Sequence, residues 1–404
     1  MTGVETKKHA VILSGGGANG AYEVGVLKAL LMGQSPATAH APLEPDIFIG
    51  TSVGSFNAAF LVSYWKTYGQ AVIANLENIW LGRLSRESRT RTHNSYRFLG
   101  NPFDFLNPQQ FVSDPAGTVS RAVSDGFHLF WDFMDRLRYV INPQEDEPLA
   151  ARFLHTLAID NLISREPFDQ LIREVIDFES IRSSPKLLSV ATTNWETGEV
   201  VQFTNYDFTE KLGPRIIMAS SAIPGFFTPQ EVGAQPYVDG SVLMNAPLSQ
   251  AIKAGADVLH VIYLDPDVSS IPVHYLSNVL STLYRTQVIN WAHTVNEAIA
   301  SAADVNASLL LIRSAQSADG LPNVSAQSVM QALVKFGGRL EEISKYRMLT
   351  IHRYHPRDEL GGPLSLLDLR PERLEYLIER GFRDAVIHNC ATSKCVLPPG
   401  SNPD

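Results

Sequence analysis

The chain has 404 residues, with 33 lysines and arginines against 42 aspartates and glutamates, and a formal net charge of −9. Hydrophobic residues make up 45% of it, which supplies a large core and excludes wholesale disorder. The acidic balance argues against a nucleic-acid-binding protein, because such proteins normally present a basic face.

Two cysteines occur, Cys390 and Cys395. So low a number excludes a disulfide scaffold and a cysteine-based structural zinc site, and we expect free thiols rather than a bond between the two. No apolar run approaches the roughly 18 residues that span a bilayer. The run at 10–13 is too short for the core of a signal peptide. We therefore expect a cytoplasmic protein.

Strands and helices alternate at the start of the chain. Residues 9–14 predict a strand and residues 20–32 a helix. A second strand at 46–51 and a second helix at 53–65 repeat the pattern. This order predicts an α/β fold of three layers, in which a mainly parallel central sheet has helices on both faces.

Residues 85–165 break this rhythm with repeated Asn-Pro pairs and a mixed aromatic and polar texture. We interpret them as a helical insertion or cap rather than a separate domain. The aromatic segment 127–134 within them fits the apolar underside of a cap better than an interfacial patch, which stays the alternative.

The rest of the chain returns to regular elements. Residues 186–204 predict two strands around a turn. We divide the chain into a catalytic domain over 8–355 and a helical extension with a frayed tail over 356–404. Further strands are expected at 258–264, 308–312 and 348–354, and further helices at 245–255, 275–303, 325–346 and 371–389.

A glycine-rich turn follows the first predicted strand, and its residues are Gly15, Gly16, Gly17, Ala18, Asn19 and Gly20. Its amides lie near a helix N-terminus, which favours a phosphate or a transition-state oxyanion. The spacing also fits the dinucleotide-binding fingerprint, but no acidic residue ends the second strand to hold a ribose. A turn without any ligand is the third interpretation.

The second strand ends in Gly50-Thr51-Ser52-Val53-Gly54, a G-x-S-x-G motif between a strand and a helix. This is the context of a nucleophile elbow, in which flanking glycines let the serine hydroxyl project at the helix start. The alternative role of Ser52 is that of a helix N-cap.

A nucleophilic serine needs a base. The candidate histidines stand in no recognisable glycine-supported loop: His260, His274, His293, His352, His355 and His388. Asp239 is the better candidate, because it follows a short apolar stretch and precedes Gly240. An aspartate that only caps a turn is the alternative.

Four blocks in this order resemble the patatin-like phospholipases: GGGANGAYEVGVLKAL, GTSVGSFNAA, ASSAIPGFFTP and YVDGSVLMNAP. The resemblance covers roughly residues 8–265, with 85–165 poorly matched. It implies a serine lipid acyl hydrolase with a catalytic dyad of Ser52 and Asp239. It also implies an oxyanion hole from the amides of Gly15, Gly16, Gly17 and Ala18, with Gly20, Gly50, Gly54 and Gly240 supporting the motifs.

The resemblance implies a lipid or membrane-surface substrate, which leaves peripheral membrane contact open. No ligand cluster in the sequence suggests a required metal, no cofactor is expected, and the acidic balance argues against nucleic acid as a partner. Asn19 stands where many relatives carry arginine or lysine. We therefore expect weaker selectivity for anionic head groups.

Other functions fit parts of the pattern. An esterase, thioesterase or transacylase would use the same dyad with another acceptor. A dinucleotide-dependent oxidoreductase leaves Ser52 unexplained, and a non-catalytic lipid-binding protein leaves both dyad residues unexplained.

Overall fold

The computed structural model describes residues 7–85, 97–98, 163–224, 227–265, 279–316, 325–335, 347–361, 365–366 and 368–398. The strands are β1 His9–Leu13, β2 Ile47–Thr51, β3 Arg97–Phe98, β4 Ile163–Ser164, β5 Leu187–Asn194, β6 Val200–Thr204, β7 Gln230–Val232, β8 Gln235–Asp239, β9 Val258–Ile262 and β10 Thr350–Tyr354. The α-helices are α1 Gly20–Leu31, α2 Val53–Tyr68, α3 Val72–Ile79, α4 Glu166–Val175, α5 Phe178–Arg182, α6 Gly213–Ser220, α7 Leu248–Lys253, α8 Val279–Gln316, α9 Ala326–Lys335 and α10 Pro371–Val386.

Eight of the strands form one mixed sheet in the order β10-β9-β1-β2-β5-β8-β7, with β6 paired to β5. The five strands from β10 to β5 are parallel, whereas β6, β7 and β8 join antiparallel. The parallel strands are nearly continuous apolar runs because helices cover both of their faces.

The hydrophobic core lies in two layers, one on each face of the sheet. Val11 and Phe48 pack with α1, α2, α3 and α10 on one face. Ile12 and Ile49 point to the other face, where α7 and the middle of α8 cover them. This is the three-layer α/β/α arrangement that the alternating sequence predicts.

The C-terminal helix is part of this core. Leu374, Leu377 and Ile378 of α10 are buried in the same cluster as α1. The hydroxyl of Tyr22 on α1 donates a hydrogen bond to Asp384 Oδ2 on α10 at 2.9 Å. Beyond this helix, Val396 pairs with Ile351 on β10. The helix therefore packs inside the α/β core, and the predicted boundary at residue 356 stays a prediction.

The predicted strand at 308–312 is wrong, because these residues belong to α8. Leu309 and Ile312 are both buried beside Ala332 of α9, and their separation of three residues is the helical spacing. A short apolar run does not by itself distinguish a strand from a buried helix. The predicted helix 275–303 continues to Gln316 as α8, and the other predicted elements within the described residues shift by a few residues at their ends.

Helix α8 is 38 residues long and holds one window, Arg285–Ile312, with the length and composition of a membrane span. Val295, Ile299 and Ala302 within that window pack on the sheet. A core helix passes the same test, so the window is weak evidence for a span.

Most of the predicted insertion over 85–165, with its aromatic segment 127–134, lies outside the described residues. Within it, β3 and β4 pair antiparallel, with Arg97 opposite Ser164 and Phe98 opposite Ile163.

Candidate active site

Ser52 lies at the turn between β2 and α2 in a strained backbone conformation. Its φ of 55° and ψ of −127° fall outside the regions that residues other than glycine usually occupy. It holds the N-cap position of α2, but its side chain makes no capping hydrogen bond. Its backbone N–H donates to Ser220 Oγ at 2.9 Å. The alternative role as a side-chain N-cap is therefore not supported, and the hydroxyl is left for other contacts.

The glycines around Ser52 allow this turn to close. A Cβ atom on Gly54 would lie 2.6 Å from the carbonyl oxygen of Leu13, at the end of β1. Gly50 stands near the end of β2 and packs against the backbone of Gly54. Any side chain at Gly54 would therefore push α2 away from the sheet and displace Ser52.

Asp239 reaches the same end of the sheet from the last residue of β8. Strand β5 lies between β2 and β8, with Thr51 opposite Ala191 and Asp239 opposite Thr192. Two strand spacings separate the backbones of β2 and β8 by about 10 Å. The two side chains bridge this gap, and the Ser52 hydroxyl lies near enough to interact with the Asp239 carboxyl.

The Asp239 carboxyl is fully buried and only half satisfied. Its Oδ1 accepts a hydrogen bond from the Ser241 N–H at 2.8 Å, so the residue does cap the turn that begins at Gly240. Its Oδ2 has no hydrogen-bond partner among the described residues. Burial raises the pKa of Asp239 to about 6, and the contacts with Ser241 and Ser52 oppose that rise. The group is mostly ionised at neutral pH and is a stronger base than an ordinary aspartate.

The glycine-rich turn packs directly against Ser52. A Cβ atom on Gly15 would lie 2.9 Å from the Ser52 Cβ. The N–H of Gly15 donates to Asn245 Oδ1 at 2.8 Å, so it is not free to bind an oxyanion. The prediction that Gly15 supplies a donor therefore has to be corrected: this residue positions the loop.

The next three amides of the turn remain available. Gly16, Gly17 and Ala18 donate to no acceptor among the described residues. Gly17 and Ala18 begin a short 3₁₀ turn, Gly17–Asn19, and α1 starts at Gly20 directly behind it. Unpaired amides at the start of a helix are a site for negative charge.

An apolar pocket opens at Ser52. Besides Ser52 itself, Gly17, Ala18 and Ser221, its wall is entirely hydrophobic, from Val53, Phe56, Trp80, Leu84, Phe168, Ile223, Phe227, Leu366 and Leu369. A wall of this kind suits a hydrocarbon chain.

Three supporting residues were not singled out in the sequence: Ser220, Asn245 and Asp265. Ser220 accepts from the Ser52 N–H and donates to the Ala191 carbonyl at 2.7 Å. Asn245 holds Gly15, and its Nδ2 donates to Asp265 Oδ2 at 3.3 Å. Ser220 and Asn245 lie in the third and fourth blocks of the resemblance, and that placement is the signal that could have found them.

No described histidine hydrogen-bonds to Ser52 or Asp239. His260 is buried in the middle of β9, and His293 is exposed on α8. His274 lies outside the described residues. His352 and His388 meet the two cysteines elsewhere in the fold.

This cluster bears on the exclusion of a cysteine-based structural zinc site, which rested on the low number of cysteines. Cys390 and Cys395 are free thiols, as expected, but His352 and His388 lie next to them. A count of cysteines does not register histidines that come from other parts of the chain.

Comparison with known proteins agrees with the family resemblance that the sequence motifs indicate. The family model for patatin-like phospholipase matches residues 11–252. The chain belongs to this family. The members of the family are lipid hydrolases, and membership supports ester hydrolysis as the general activity. Comparison with curated proteins finds no match.

Among solved structures, the chain is similar to VipD from Legionella pneumophila, at 15% identity with a TM-score of 0.34. The alignment covers 94% of this chain and 66% of that one, so the chain spans just under two thirds of the length of VipD.

Proposed function

We propose that this protein is a serine lipid acyl hydrolase, of the phospholipase A or lysophospholipase type, that works through Ser52 and Asp239. The observation that carries the proposal is a serine hydroxyl free of capping bonds beside a buried carboxyl with one unpaired oxygen. Capping of the turn at Gly240 uses only Oδ1 of this carboxyl, and it leaves the Ser52 hydroxyl and Asp239 Oδ2 without a structural role.

In the first half-reaction Asp239 accepts the proton of Ser52 as Oγ attacks the ester carbonyl carbon. The tetrahedral intermediate collapses, the alcohol or lysolipid leaves with the proton from Asp239, and an acyl-enzyme remains. In the second half-reaction Asp239 takes a proton from water, whose oxygen attacks the acyl carbon. Fatty acid then leaves and Ser52 regains its proton.

The oxyanion hole consists of the amides of Gly16, Gly17 and Ala18. Their preorganised N–H groups stabilise the charge that develops on the carbonyl oxygen, typically by about 3–4 kcal/mol for one donor. Gly15 and Asn245 set the position of this loop. The apolar pocket holds the acyl chain, and the substrate is a lipid taken from an aggregate or a membrane surface by a cytoplasmic, peripherally associating enzyme.

The test combines labelling with product analysis. We expect the wild type to react with a fluorophosphonate probe and to release free fatty acid from phospholipid vesicles. Ser52→Ala should abolish both and retain the far-ultraviolet circular dichroism of the wild type. Ser63→Ala is the matched control, because Ser63 is a buried serine on the same helix whose hydroxyl donates to the Phe60 carbonyl, within its own helix.

Labelling that persists in Ser52→Ala would place the nucleophile elsewhere. Acyl transfer to an alcohol in preference to water would instead identify a transacylase. Hydrolysis of thioesters or short esters without activity on vesicles would identify a thioesterase or esterase.

A further inference from the structure

Four side chains with metal-binding atoms meet at the edge of the sheet. His352 stands on β10, and His388, Cys390 and Cys395 follow α10 near the end of the chain. One ligand atom from each of them lies within 4.8 Å of all the others. The catalytic candidates lie on other strands, since Ser52 follows β2 and Asp239 ends β8.

Three of the distances between these atoms match those in a tetrahedral metal centre, and the others are no longer than 4.8 Å. A sulfur and a nitrogen bound to one tetrahedral zinc at about 2.3 and 2.0 Å lie about 3.5 Å apart. Cys390 Sγ lies 3.5 Å from His352 Nδ1 and 3.6 Å from His388 Nε2. Cys395 Sγ lies 3.4 Å from the same His388 nitrogen.

The backbone around the four residues is already fixed. The N–H of Cys395 donates to the Cys390 carbonyl at 2.9 Å, which closes the turn that carries both thiols. Val396 and Ile351 exchange two backbone hydrogen bonds of 2.9 and 2.7 Å, which hold this turn against β10. The N–H of Arg353 points at Cys395 Sγ at 3.3 Å, as backbone amides do toward metal-bound thiolates.

The surroundings favour an ion of charge +2. His352, His388 and Cys390 are each less than a tenth exposed. Two thiolates and two neutral imidazoles around Zn²⁺ give no net charge, so the occupied site avoids the cost of a buried charge. The His352 ring also stacks on His260 with centroids 5.1 Å apart, which fixes its orientation.

We infer that His352, His388, Cys390 and Cys395 bind one Zn²⁺ ion in a closed structural site that fastens the C-terminal segment to β10. Four protein ligands leave no open position for substrate, so the ion has no part in ester hydrolysis. Zinc binding displaces the two thiol protons to solvent and couples metal affinity to folding. The site is independent of the proposed hydrolase activity.

The experiment uses the full chain purified with a non-chelating reductant. We expect about one zinc per chain by inductively coupled plasma mass spectrometry. Replacement by Co²⁺ should give the intense ligand-field absorption of a tetrahedral thiolate site. The double variant Cys390→Ser, Cys395→Ser should lose both signals, and the control His293→Ala, which changes an exposed histidine on α8, should keep them.

Removal of zinc should lower the Tm of the wild type and of His293→Ala, and it should leave the Tm of the double variant unchanged. Three results would overturn the site. In the first, the reduced wild type neither retains Zn²⁺ nor develops the Co²⁺ spectrum. In the second, the double variant retains zinc at the wild-type level. In the third, protein isolated from a reducing cytosol contains a Cys390–Cys395 disulfide. If the double variant does not fold, the Co²⁺ titration of the wild type still decides the question.

Discussion

The guanidinium of Arg373 donates a hydrogen bond to Asn19 Oδ1 at 3.1 Å and so joins the C-terminal helix to the glycine-rich loop, 354 residues away in sequence. Asn19 is only 4% exposed, and its Nδ2 lies 3.5 Å from Ser365 Oγ. Its side chain therefore faces α10 rather than the pocket at Ser52. This side chain supports the loop. The structure therefore gives no reason to expect that Asn19 affects head-group selectivity.

Asn19→Arg tests this relationship. The new guanidinium would lie against Arg373 in a buried position, and we expect a loss of stability of about 1–3 kcal/mol. The measurement is Tm by differential scanning calorimetry. Asn19→Asp is the matched control, since it gives Arg373 a second carboxylate partner besides Asp368 and should keep a Tm near that of the wild type. A stable Asn19→Arg protein with a higher rate on anionic phospholipids would show that position 19 does read the substrate.

The activity should depend on pH through Asp239. Its carboxyl must be ionised to accept the Ser52 proton, and burial raises its pKa to about 6. We therefore expect kcat/KM to be low at acidic pH and to rise through about pH 6 to a plateau. Asp239→Asn should lose this acidic limb of the pH profile, the rise of kcat/KM near pH 6, together with nearly all activity. Stopped assays across this range on one neutral ester substrate measure the profile.

Asp265 needs a separate control because burial raises its pKa to about 7. Asp265→Asn should keep the limb near pH 6, because Asp265 contacts Asn245 and not the reacting atoms. If the limb disappeared in Asp265→Asn and persisted in Asp239→Asn, then Asp265 and not Asp239 would be the base.

Alanine at single histidines should leave catalysis nearly intact. His260 is buried within β9, so His260→Ala should lower Tm and keep kcat within about tenfold below the transition, whereas loss of a true triad member costs about 10³-fold or more. His293→Ala should change neither quantity. A loss of three orders of magnitude in kcat for either folded variant would rule out a dyad without histidine.

Asn245 should act on the rate through the oxyanion loop. Asn245→Ala leaves the buried Gly15 N–H without its acceptor, so the loop shifts and the free amides lose their alignment. We expect kcat to fall about tenfold to a hundredfold with little change in KM, less than the 10²–10³ for loss of a direct donor. Asn245→Asp combined with Asp265→Asn keeps the acceptor for Gly15, avoids two facing carboxylates, and should restore most of the rate. Equal damage from both variants would show that the amide matters for folding alone.

The sequence reveals those parts of the fold that follow from local pattern. The strand at His9–Leu13, the strand at Ile47–Thr51 and the two turns after them combine apolar runs with glycine motifs, and their bounds were predicted within three residues. The helical structure of residues 308–312 was not predicted, because a short, mostly apolar run fits a strand as well as a buried helix. The bond from Asn245 to Gly15 and the meeting of His352 with Cys390 depend on contacts between distant segments, which one sequence does not display.

Glu23 provides the last prediction, in the core behind the glycine-rich loop. Its carboxyl is fully buried on α1, and burial raises its pKa well above the ordinary 4.5, opposed by the Asn57 amide that donates to Oε2 at 2.9 Å. The folded state therefore keeps the proton to higher pH than the unfolded chain does. Since the folded state binds more protons in that window, the free energy of unfolding falls as the pH rises above about 4.5, until the raised pKa is passed.

Glu23→Gln removes this titration and keeps an oxygen for Asn57 to donate to. We expect the difference in Tm between variant and wild type to shift in favour of the variant from pH 4.5 upward. Asp239 and Asp265 titrate in both proteins and cancel in the comparison. Urea unfolding at matched pH values measures the same difference as a free energy. A difference that stays constant from pH 4.5 to neutrality would mean that Glu23 ionises as readily in the fold as in the unfolded chain.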